Sequence, residues 1–114
     1  MITLPGVAPN MIANNIEPYR PVHPGEVLKD EIEYRGVSQK KLATAMNVSY
    51  SLLNEVLNSK RPVNTELAML IEATLDLPAE HLLKMQTRYN ILVTKHNSKF
   101  IEKLSKITKV ASIF

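Results

Sequence analysis

From Pro24 onward, apolar side chains return every three or four positions, the spacing of one face of an α-helix, with polar residues filling the gaps. Val27, Leu28 and Ile32 follow a Pro-Gly-Glu start and run to Gly36, which predicts a first helix. Proline suits the first helical position, glutamate the positive end of the helix, and glycine its left-handed stop. Ser38 is a natural cap for a second helix reaching about Met46, with Leu42, Ala43 and Met46 on one face. Ser49 caps a third, in which Leu53, Val56 and Leu57 share a face while Tyr50, Ser51, Asn54 and Asn58 point elsewhere. Asn64 caps a fourth, which carries Leu67, Leu70 and Ile71 and ends near Asp76. After Pro78 a fifth runs from Ala79 to about Lys95 through Leu82, Met85, Tyr89, Leu92 and Val93. Beyond Asn97 and Ser98, the residues Phe100, Ile101, Leu104 and Ile107 line one side of a last segment, opposite Lys99, Lys103 and Lys106. No segment carries the alternation of a strand, so the predicted class is all-α.

The join between the second and third predicted helices is the informative one. Asn47 stands where the chain must turn sharply, in the left-handed conformation that only Gly and Asn adopt cheaply. Ala43 is small enough for a close helix crossing and Val48 plugs the corner, which together predict a helix-turn-helix. In that unit the second helix is held away from the core, and its outer face enters a DNA major groove.

Charge sharpens this reading. The 114 residues sum to only +3, but residues 1–37 carry −2, residues 38–61 carry +3, residues 62–83 carry −4 and residues 84–114 carry +6. A cationic stretch between acidic ones concentrates positive potential on one face, as a polyanionic partner requires. Residues 1–22 are rich in proline and lack periodicity, so they read as an extended arm; residues 23–96 then form the DNA-binding domain and residues 97–114 an amphipathic helical extension. With no cysteine, no secretory pattern and no apolar run near the ~18–20 residues that span a bilayer, a cytoplasmic protein without a membrane partner is expected. The lysine-faced tail would alternatively suit an anionic surface or a partner helix.

The run VSQKKLATAMNVSYSLLNEVLN resembles the helix-turn-helix of phage-repressor-type proteins: a Ser-Gln pair, Leu-Ala, a small turn residue, then Ser and two aliphatic core positions. PVHPGEVLKDEI before it and PAEHLLKMQTRYNI after it are similar to the HigA-type antitoxins, also called plasmid maintenance system antidote proteins, over residues 21 to 91. The resemblance implies a five-helix phage-repressor-like domain, here with an N-terminal arm and an extra C-terminal helix. It also implies a dimer that represses its own operon and neutralises a small toxin acting as a ribosome-associated messenger RNA endonuclease. A free-standing repressor of the same fold is the alternative. The sequence departs from the family at Asn47, commonly Gly, and at His81 and Leu82, which replace aromatic residues.

Groove geometry assigns base edges to Ser49, Tyr50, Ser51 and Asn54, with Asn54 suited to adenine and an exposed Leu52 to a thymine methyl. No arginine lies on this helix, so an A·T-rich half-site is expected. Ser38 and Gln39, at the amino end of the second helix, suit a phosphate, and Lys40, Lys60 and Arg61 bracket the probe helix with positive charge. Leu82, Met85, Tyr89 and Leu92 are predicted to form a two-fold dimer contact, the alternative being that this helix completes the monomer core. His23, His81 and His96 lack the spacing of a metal site and read as surface or helix-end residues; glycine at 6, 25 and 36 forms no phosphate loop. Neither cofactor nor catalysis is expected.

Overall fold

The computed structural model describes residues 20–108 and 110. Among them the structure is all helical: α1 (Pro24–Arg35), α2 (Gln39–Met46), α3 (Tyr50–Leu57), α4 (Thr65–Leu75), α5 (Ala79–Lys95) and α6 (Ser98–Ser105). The expected arm falls almost wholly on residues 1–19, outside the described residues, as do 109 and 111–114 of the tail.

The caps explain why the boundaries were legible. Ser38 Oγ accepts from the Lys41 N–H at 3.1 Å, Ser49 Oγ from Leu52 at 3.0 Å, and Asn64 Oδ1 from Leu67 at 2.8 Å, each satisfying a backbone donor that the helix cannot. Gly36 (φ 71°) closes α1, and Asn47 (φ 57°, ψ 43°) closes α2 in the left-handed conformation predicted for it. Ser59 (φ 63°) and Asp76 (φ 60°) adopt the same region after α3 and α4, which their residue types did not announce.

Leu28, Ile32, Met46, Leu53, Ile71 and Leu82 lie in one core to which α1 through α5 all contribute. Each such side chain contributes roughly 1.5–3 kcal/mol by leaving water. Ala43, at 3% exposure, lets α2 and α3 approach, and half-buried Val48 packs beneath the turn. A second close approach lies elsewhere: a Cβ added at Gly25 would stand 1.9 Å from the carbonyl oxygen of Val56, so glycine lets the start of α1 abut the end of α3.

Two expectations for α5 need correction. Leu82 and Leu92 are 2% and 3% exposed within the single chain, so they face the protein's own interior rather than a partner. The reason is that α5 packs on both α4 and α1, and its inner stripe is consumed by that core. Tyr89 is half-buried with its ring edge-on to His23, and Met85 is half-buried. In contrast α6 buries none of its residues, and Ile91, Phe100, Ile101 and Leu104 line an open apolar groove between α5 and α6.

Candidate nucleic-acid interface

α2 and α3 project one continuous polar surface. Tyr50 is 53% exposed, Ser51 is exposed, and Asn54 is half-buried at the junction with α2. Ser38, Gln39, Lys40 and Tyr50 together line a shallow depression at the amino ends of the two helices. Several backbone N–H groups of those first turns have no helical acceptor, and the helix dipoles add partial positive charge, so the depression suits an anionic oxygen. The hydroxyls of Ser38 and Ser49 accept the capping bonds through oxygen, which leaves the O–H hydrogen of each for a donor role.

Placement of the cations is uneven. Lys40 and Lys60 are exposed. Arg61, in contrast, pairs with Glu55 of α3 at 2.8 Å, which neutralises part of the charge at the carboxyl end of the probe helix. Leu52 is not the free methyl reader that was expected. It is half-buried against the core, and with Val48, Leu67 and Leu70 it lines a cleft beside the turn.

Three features had no obvious signal in the sequence. An amide chain links the two helices: Asn54 Nδ2 donates to Gln39 Oε1 at 3.0 Å, and Asn58 Nδ2 lies 3.3 Å from Asn54 Oδ1. The spacing of Asn54 and Asn58, one helical turn apart, is the sole hint of it. Gln86, 5% exposed, accepts from the Val63 N–H at 2.8 Å and donates to Asn90 at 3.0 Å, tying the loop after α3 to α5. His23 is a helix-end residue, as expected, but a buried one: it is 2% exposed and its Nδ1 caps α1 by accepting from Gly25. His81 is exposed on the first turn of α5 and His96 closes that helix. The described residues hold no cluster of three or more metal-ligating side chains, and no described helix is long and apolar enough to cross a membrane.

A short turn, a braced first helix and an outward-facing polar second helix define a helix-turn-helix protein, and the chain belongs to that family: the helix-turn-helix family model matches residues 28–82. It is 31% identical to virulence-associated protein I of Dichelobacter nodosus over 81 residues, covering 70% of this chain and 75% of that one. Among solved structures it is similar to the Pseudomonas aeruginosa antitoxin HigA with the higBA promoter (TM-score 0.71, 27% identity, 80% of this chain and 99% of that one). An addiction module antidote protein of a HigA family from Coxiella burnetii is also similar, with TM-score 0.69, 28% identity, and coverage of 79% and 98%.

Proposed function

We propose that this chain is a DNA-binding antitoxin: it binds an operator through α3 and the amino end of α2, represses its own operon, and neutralises a small partner toxin. The observation carrying this reading is the outer face of α3 at Tyr50, Ser51 and Asn54 beside the depression that Ser38, Gln39 and Lys40 line at the amino end of α2. Likeness to an antitoxin solved with its own promoter supports it. Ser49, Tyr50, Ser51 and Asn54 approach base edges, while Ser38, Gln39, Lys40, Lys60 and Arg61 approach phosphate.

One α3 offers too few contacts for tight operator binding, so the active species is a homodimer reading half-sites about one DNA turn, ~34–36 Å, apart. The exposed apolar residues Ile91, Phe100, Ile101 and Leu104 support a two-fold contact displaced toward the carboxyl end of α5 from the one first expected.

Two measurements test the proposal. Fluorescence anisotropy with the DNA preceding the chain's own reading frame is expected to show saturable binding that outcompetes random duplex; equal affinity for both sinks operator recognition. Co-expression with the adjoining reading frame is expected to yield a stable complex with a small basic protein. Operator binding without any such complex would favour the free-standing repressor.

A further inference from the structure

The side chains of Asn58, Asn54 and Gln39 form a chain across α3 and α2 whose direction follows from one backbone atom. Asn58 lies 2.9 Å from the backbone carbonyl oxygen of Asn54. A carbonyl only accepts, so the Asn58 atom beside it must be the amide nitrogen, Nδ2. That nitrogen also lies 3.3 Å from the Asn54 side chain, which must turn its oxygen toward Asn58. Asn54 Nδ2 is then left facing Gln39, where it donates to Oε1 at 3.0 Å. Each assignment forces the next. Gln39 therefore keeps its oxygen inward and carries two amide hydrogens at its outer end.

We propose that Asn58 is a positioning residue for DNA contact: its amide, anchored on the Asn54 carbonyl, orients the side chain of Asn54, itself at the DNA face, so that Gln39 presents donors alone at the amino end of α2. The proposal rests on the DNA-binding reading above. An unconstrained glutamine can rotate its amide and offer either a donor or an acceptor; the relay selects the donor. Gln39 lines the same depression as Ser38, Lys40 and Tyr50, at the first turn of α2. Such a site takes an acceptor: a phosphate oxygen, or the acceptor edge of guanine or thymine in the major groove. The amino groups of adenine and cytosine, as donors, are rejected there.

The relay is tested first on the free protein, by hydrogen exchange of the side-chain amides followed by NMR. The Asn54 Nδ2 hydrogens are expected to exchange more slowly than those of Gln39 Nε2. In Asn58→Ala the anchor is lost and the Asn54 and Gln39 amides are free to rotate, so the difference between their exchange rates is expected to shrink. Slow Gln39 exchange in the natural protein, or an unchanged difference in Asn58→Ala, overturns the polarity. On duplexes selected by the natural protein from random DNA, Asn58→Ala is expected to lose roughly 2- to 10-fold in affinity, the range of one hydrogen bond, at an unchanged salt slope. A methylphosphonate at the contacted phosphate abolishes that difference if the acceptor is phosphate; 7-deazaguanine or a thymine analogue lacking O4 does so if it is a base edge. If Asn58→Ala binds as the natural protein does, with the expected exchange pattern intact, the positioning role is overturned while the DNA reading stands. Absence of any duplex binding at low salt overturns both.

Discussion

The ring of His23 meets the ring of Tyr89 edge-on, with centroids 4.8 Å apart, and so joins the amino end of α1 to the middle of α5. The same imidazole accepts the Gly25 N–H through Nδ1, so protonating that nitrogen breaks a cap and places a charge in a site only 2% exposed.

Acidification is therefore expected to weaken the fold near neutrality. Burial lowers the His23 pKa below its ordinary value of 6.5, against the smaller opposing pull of Glu26 and of the hydrogen bond with the Arg61 backbone. Below 6.5 the unfolded chain takes up the proton first, so stability is complete above that pH and declines as pH falls from 6.5 toward the folded value. Glu26, held below its ordinary 4.5 chiefly by its hydrogen bond with Arg20, removes a further increment only when pH falls below 4.5. Urea midpoints measured between pH 5 and 7.5 check this. His23→Gln is expected to flatten the upper part of the profile; an equal slope in the variant assigns the effect to other groups.

Gly25→Ala is expected to destabilise the domain by more than ~2 kcal/mol, because the new methyl meets the Val56 backbone, which has no flexible end to move aside. The readout is the denaturation midpoint, and a change within ~0.5 kcal/mol would show that α1 and α3 separate easily. Since Val56 lies on α3, DNA affinity is expected to fall with stability.

Gln86→Leu is nearly isosteric yet leaves the buried Val63 N–H without its acceptor, so a loss of ~1–3 kcal/mol is expected. Amide exchange at Val63 should accelerate by a matching factor. An unchanged rate would mean that water replaces the side chain.

Lys60→Ala should weaken binding to operator and random duplex equally and reduce the salt slope by roughly one. Glu55→Gln is the complementary case. It frees the Arg61 guanidinium from its 2.8 Å partner and removes a negative charge from the probe helix, so affinity for random duplex is expected to rise. A fall in that variant would show that the ion pair holds Arg61 in its binding position.

Local chemistry determined most of the fold. Pro24, Ser38, Ser49, Asn64 and Asn97 each satisfy a need arising within one helical turn, and Leu53, Val56 and Leu57 declare their face by spacing alone, so helix boundaries and the outward side of α3 were readable without coordinates. Only tertiary structure decided which amphipathic surfaces find a partner. Leu82 and Leu92 carry the same apolar signal as Ile91 and Phe100, yet the first two are spent on the chain's own core and the others are left at the surface. Periodicity reports that a face is apolar and is silent about what covers it. The packing of His23 on Tyr89, the bond from Val63 to Gln86 and the contact of Asn54 with Gln39 were hidden for a related reason: each joins groups from different elements, whose distance is set by how the helices pack, while the pairing of Glu55 with Arg61 depends on how the chain turns after α3.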